Sequence, residues 1–135
     1  MMKNSYDYPI LPGFYPDPSI CRVDNTYYMA TSSFEYRPGV PLFKSDDLLH
    51  WEQIGHILTR PSQFPEDAGA GSTGIYAPTL RYFSDRFWMV TTNVTTPGSE
   101  QIVCFAERVE GPWSDCLVTS GCRGIDPDLT WDGED

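Results

Sequence analysis

The sequence predicts an all-β chain assembled from four-stranded antiparallel units that repeat along it. Three observations predict this. Helical periodicity is hard to find, short runs rich in Tyr, Phe, Val, Ile and Thr recur between turn residues, and one four-strand order is read twice.

The first unit follows Pro18. Ser19 to Val23 alternates and ends at the turn pair Asp24-Asn25, and Tyr27 to Ser33, Val40 to Ser45 and Trp51 to Gly55 then supply three more strands. The second unit follows Pro78 in the same order: Thr79 to Phe83, the turn Ser84-Asp85, Phe87 to Asn93, Ile102 to Val109 and Trp113 to Val118. The outer strands rhyme too, since LFKSDDLLHWEQ and CFAERVEGPWSD each carry a charged turn, then a Trp and an acidic residue. A third unit opens at Pro127 with Asp128-Leu129-Thr130-Trp131 and the turn Asp132-Gly133.

Whole four-strand units repeating at ~40 to 60 residues are the pattern of β-propeller blades, each burying its faces against its neighbours. A sandwich accounts for single hairpins equally well, but not for this repetition. The chain therefore supplies about two blades and the start of a third, and residues 1–135 read as one incomplete propeller domain. Closure takes at least about four blades, so exposed faces and edges predict that this length aggregates when made alone.

The 135 residues are 40% hydrophobic and 14% aromatic, which suits a packed core rather than disorder. With 19 acidic against 9 basic residues the formal charge is -10, and no Lys/Arg cluster reverses it locally, which argues against nucleic acid as a partner. Asp7, Pro9 and Pro12 interrupt the opening MMKNSYDYPILPG, which therefore lacks the apolar core of a secretory signal, and no run reaches membrane-spanning length. The expectation is a cytoplasmic protein away from membranes, with the sequon Asn93-Val94-Thr95 a weak sign of export. Cys21, Cys104, Cys116 and Cys122 lack zinc spacing and read as buried reduced thiols rather than a structural metal site, with a Cys116 to Cys122 disulfide as the alternative in an exported protein.

Superposing the units puts Asp17, Ala77 and Asp126 at one position, just before the Pro that opens each first strand. The innermost strand of a blade starts at the axial channel, so two carboxylates face a common cavity. The following Pro predicts an extended backbone that aims each carboxylate. Asp-Pro is also a common turn pair, and two of them at equivalent repeat positions weaken that plainer reading. Phe34 and Tyr76 offer flat apolar faces nearby, with core packing as the alternative. Paired carboxylates beside aromatic faces suit glycoside hydrolysis. His50 and His56 lie off the axial positions and read as surface or packing residues.

At these residues the chain resembles glycoside hydrolase family 43, the β-xylosidases and α-L-arabinofuranosidases. The likeness is carried by Pro9-Ile10-Leu11-Pro12-Gly13-Phe14-Tyr15-Pro16-Asp17-Pro18-Ser19-Ile20-Cys21-Arg22, by Ser33-Phe34-Glu35, by Gly74-Ile75-Tyr76-Ala77-Pro78 and by Gly124-Ile125-Asp126-Pro127-Asp128-Leu129. The resemblance implies a five-bladed propeller and an inverting glycosidase acting on xylo- or arabino-oligosaccharides. It implies Asp17 as general base, Asp126 as the residue that tunes and orients the general acid, and Phe34 and Tyr76 as sugar-binding side chains. Tyr76 stands where the family commonly has Trp. The general acid, a Glu, has no counterpart at an axial position here, so residues 1–135 alone are expected to be inactive. No cofactor is implied; calcium occurs in some relatives, and no residue here specifies one. A non-catalytic sugar-binding propeller and an endo-acting arabinan hydrolase are the alternatives, and xylose versus arabinose stays open, as does the oligomeric state.

Overall fold

The computed structural model describes residues 8–63, 71–95, 99–119 and 121–133. Residues 1–7, on which part of the leader argument rests, lie outside the described residues. The described elements are eight strands in two antiparallel four-stranded sheets, each in sequential order. The first sheet is β1 (Ser19–Val23), β2 (Thr26–Ala30), β3 (Gly39–Ser45) and β4 (Glu52–Leu58). The second is β5 (Thr79–Phe83), β6 (Arg86–Asn93), β7 (Glu100–Ala106) and β8 (Leu117–Thr119).

Both inner hairpins close through two-residue turns. Ser84 and Asp85 have φ of 50° and 57°, and positive φ at both central residues matches the right-handed twist of the strands they join. The second strand of the first blade ends at Ala30, earlier than the expected Ser33. Beyond Thr31 the backbone leaves its sheet: Ser32 N donates to Pro16 O and Ser33 N to Ile75 O. Conversely, β4 runs past the expected stop at Gly55. Leu42 pairs with Gly55 and Phe43 with Gln53, so Ile54 is an inserted residue, and Gly55 at φ 150° takes up the bulge. The last strand is shorter than expected. Trp113 to Cys116 runs beside β7 without laddering, with Ser114 N donating to Phe105 O, and only Leu117–Thr119 pairs.

One core lies between the two sheets. Ala30, Leu42, Ile57 and Leu58 from the first pack with Leu80, Phe87, Met89 and Ile102 from the second. Tyr28 meets the Phe87 ring edge-on at 5.3 Å. Each fully buried Leu, Ile or Phe contributes roughly 1.5–3 kcal/mol, so neither sheet is complete without the other. The inner strands β1 and β5 lie side by side, and Leu80 N donates to Ser19 Oγ at 3.0 Å. This is the arrangement of two propeller blades around one axis.

The segment after β8 starts the third unit, and residues 121–133 form no strand. It is nevertheless held against β5: Thr79 Oγ1 donates to Pro127 O at 2.8 Å, Arg81 pairs with Asp128 at 2.7 Å, and the Phe83 and Trp131 rings lie 4.4 Å apart.

The cysteine expectation is corrected. Cys104 and Cys116 form a disulfide, whereas Cys122 is exposed and unbonded and Cys21 is a half-buried thiol. Cys104 sits on β7 and Cys116 on the segment running antiparallel to it, so the sheet brings together two cysteines twelve residues apart. Cys122 lies past β8, beyond that pairing.

Candidate active site

Asp17 ends the segment that leads into β1. The buried Ser32 holds it from the blade's own second loop: Ser32 N donates to Pro16 O at 3.0 Å, and Ser32 Oγ donates to Asp17 Oδ2 at 2.8 Å. The carboxylate itself is exposed. Its backbone is not extended, as the following Pro led one to expect, but left-handed with φ 54°. Asp126 has the same departure, φ 58°. Pro disfavours the right-handed region for its predecessor, and Asp is among the few residues that tolerate the left-handed one. The lateral bonds from Ser32 supply the local constraint for Asp17.

Asp126 is exposed and held from the second blade. Gln101 Nε2 donates to Gly124 O at 2.7 Å on one side, and Thr79 Oγ1 bonds Pro127 O on the other. Because β1 lies beside β5 and Pro127 is tied to β5, the order around the axis is Asp17, Ala77, Asp126. No three His, Cys, Asp or Glu side chains converge as a metal site among the described residues.

The two expected aromatics are brought together. Phe34 N donates to Ile75 O at 2.8 Å and Ile75 N to Phe34 O at 3.0 Å, a bridge between the two blades. It sets the Phe34 and Tyr76 rings 5.1 Å apart. Tyr76 is fixed at both ends: its N donates to Thr92 O, its O accepts from Thr91 Oγ1, and its hydroxyl donates to Ser72 O at 3.0 Å. Gly74 makes the bridge possible, because at φ 91° a Cβ there would overlap the Phe34 carbonyl.

Sequence reasoning did not single out Phe14, Tyr36 or Ser32. Phe14, half exposed, meets the Phe34 ring at a tilt with centroids 5.8 Å apart and the Tyr36 ring edge-on at 5.4 Å. Phe14 lies inside the opening segment, three residues before Asp17, so its aromatic character was a usable signal. Ser32 carried none, since its contact with Asp17 spans fifteen residues and depends on the loop's path. Of the two histidines, His50 Nδ1 lies 2.6 Å from Asp47 Oδ2 in the β3–β4 turn, and His56 is half-buried on β4.

An exposed carboxylate oriented by a buried hydroxyl can accept a proton from water, and a cluster of aromatic rings carried by the same loop offers apolar faces to a sugar ring. Comparisons with known proteins agree with that chemistry. Residues 6–135 match the family model for glycosyl hydrolases family 43. The chain is 49% identical over 128 residues to a xylosidase/arabinosidase of Butyrivibrio fibrisolvens, covering 93% of this chain and 24% of that protein. It is 43% identical over 131 residues to a non-reducing end alpha-L-arabinofuranosidase of Bacteroides ovatus, covering 96% of this chain and 25% of that protein. Among solved structures, a family 43 protein from a capybara gut metagenome superposes with TM-score 0.87 at 43% identity, over 98% of this chain and 25% of that one. A xylan beta-1,4-xylosidase from Bacillus halodurans superposes with TM-score 0.78 at 42% identity, over 84% of this chain and 23% of that one. The chain spans about a quarter of the length of these curated relatives.

Proposed function

The chain belongs to glycosyl hydrolases family 43, and from that premise we propose that it is the N-terminal part of an exo-acting, inverting glycosidase with a five-bladed catalytic propeller. Its substrates are oligosaccharides ending in β-D-xylosyl or α-L-arabinofuranosyl residues. The observation that carries this reading is Asp17, exposed and bonded to Ser32, whose loop carries Phe34 in ring contact with Phe14 and Tyr76.

In this reading Asp17 takes a proton from water while the water oxygen bonds to the anomeric carbon. The bond from that carbon to the leaving oxygen breaks, and a protonated Glu from a later blade donates its proton to that oxygen. One displacement inverts the anomeric centre. Asp126 lies across Ala77 from the base, where its negative charge makes loss of the proton from a nearby Glu harder and keeps that acid loaded. Phe34 and Tyr76 hold the terminal sugar. Residues 1–135 carry no Glu at an axial position, and a missing general acid by itself lowers the rate about 10² to 10⁴-fold.

The test is hydrolysis of the 4-nitrophenyl glycosides of β-D-xylose and α-L-arabinofuranose by the full-length enzyme and its Asp17→Ala variant. Activity in the first and its loss in a folded second supports the reading, and the better substrate names the sugar. A folded wild type inactive on both favours a non-catalytic sugar-binding propeller or an arabinan substrate.

A further inference from the structure

A cleft opens on the first blade beside Ser32, the residue that bonds Asp17, with Phe14 in its wall. Its volume is about 270 Å³, and it is lined by Phe14, Tyr36, Ser33, Pro41, Gln53 and His56 among others. It is built wholly within the first blade: the segment leading to β1, the loop after β2, and the facing residues of β3 and β4. Pro41 and His56 are cross-strand partners, and the bulge at Ile54 places Gln53 and His56 close enough for their side chains to lie 3.4 Å apart.

The chemistry of this lining is specific. Phe14, Tyr36 and the prolines present flat apolar surface. Gln53 and His56 each both donate and accept hydrogen bonds, which is what a sugar hydroxyl requires of a partner. Burial pushes the His56 pKa down, so the ring is neutral at neutral pH and keeps an acceptor nitrogen. The volume is just below the ~300 Å³ at which sites for drug-sized ligands begin, a size for one sugar ring.

Four rings connect this cleft to the axial mouth. Tyr76, Phe34, Phe14 and Tyr36 follow one another with centroids 5.1, 5.8 and 5.4 Å apart. We propose that the cleft lined by Tyr36, Gln53 and His56 is an additional subsite for a neutral pentose unit of an oligosaccharide whose end occupies the Asp17 pocket. This deepens the glycosidase reading and rests on it for the identity of the sugar. The aromatic strip guides the chain between the two positions, and Gln53 with His56 holds the distal ring.

The test is equilibrium binding of xylotriose, or of arabinotriose if the hydrolysis assay names arabinose. Full-length enzyme carrying Asp17→Ala is used so that the probe is not consumed. Tyr36→Ala, Gln53→Ala and His56→Phe are added singly, the last keeping volume while removing the hydrogen bonds. Each is expected to weaken the trisaccharide at least fivefold while the melting temperature stays within a few degrees. Tyr36 and Gln53 are exposed, so their variants report even if His56→Phe misfolds. Trisaccharide affinity unchanged within twofold in the folded variants overturns the subsite. Hydrolysis is scored separately on wild type: activity with unchanged binding rejects only the subsite, whereas no hydrolysis with weakened binding rejects only the catalytic role.

Discussion

Three non-glycine residues of the candidate site, Asp17, Phe34 and Asp126, hold left-handed backbone with φ between 49° and 58°. Such conformations cost on the order of 1–3 kcal/mol each and persist where surroundings over-determine them. For Phe34 the constraint is the reciprocal pair of backbone hydrogen bonds with Ile75, which in turn needs Gly74. Gly74→Ala must move the Phe34 carbonyl and accept φ 91° at a residue with a Cβ, so a stability loss of about 1–3 kcal/mol is expected in denaturant titration. An unchanged midpoint and slope would contradict the bridge. For Asp17 the constraint is Ser32. Ser32→Ala in the full-length enzyme removes a hydrogen bond to a charged group, worth about 1.5–3 kcal/mol, and leaves the aromatic faces intact. The expected result is kcat down tenfold or more with KM within twofold; a rise in KM alone would make Ser32 a binding residue instead. The opening and Gly-Ile-Tyr-Ala-Pro segments made Asp17 and Tyr76 legible, because each sits in a local pattern. Ser32 and Phe14 were not singled out, since their roles depend on which distant loop passes over them.

Strands are legible where alternation is uninterrupted, and misread where the backbone changes partner. Ser19–Val23 and Thr79–Phe83 match the sequence expectation. The extension of β4 through Leu58 does not, because Gly55 reads as a terminator when it is the flexible point of a bulge. The stretch before β8 reads as strand, yet beside the bonds of Ser114 to Phe105 its groups bond outside the sheet. It is clasped by the turn after β4: Arg60 reaches Trp113 O and Asp115 Oδ1, Ser62 donates to Asp115 Oδ1, and the buried Gln63 donates to Ser114 O. Hydrogen bonds from Arg60 and Ser62 hold the Asp115 carboxyl below its ordinary pKa. A carboxyl depressed on folding stabilises above its unfolded pKa of about 3.9 and loses that contribution as pH falls through the folded value. Asp115→Asn should therefore lower the melting temperature at pH 7, and the gap to wild type should close towards pH 3. A gap constant across that range would mean the carboxylate charge contributes nothing to the clasp. The disulfide beside it is checked by thiol titration of unreduced protein. Exposed Cys122 should react fast, Cys21, its thiol pushed up to about 11 by burial, should react slowly, and Cys104 and Cys116 should react only after reduction. Four reactive thiols in the unreduced, unfolded chain would refute the bond.

At the scale of the whole molecule, the repeat was the most legible feature, because each blade reuses one order of strands and turns while burying its faces only against neighbours. The two sheets satisfy that need for their shared faces and leave the outer ones open. On β1 the core-facing Cys21 and Val23 alternate with Ile20, 44% exposed, and Arg22. Beyond the second sheet the apolar surface continues through Phe83, 37% exposed, to Trp131, 56% exposed. At β8 the edge carries Leu117 and Val118, 62% and 54% exposed. Exposed aromatic surface and unpaired strand edges are templates for association, and the net charge of -10 opposes association only as far as salt permits. Residues 1–135 made alone should therefore associate in proportion to concentration, and more so at 0.5 M than at 0.05 M salt, as read by light scattering or sedimentation. Adding the later blades in the same polypeptide should abolish the salt effect, because the outer faces of the first and second blades then have partners. A sharply melting monomer of residues 1–135 at both salt concentrations would show that the two sheets and the attached third-unit segment already form a self-sufficient fold.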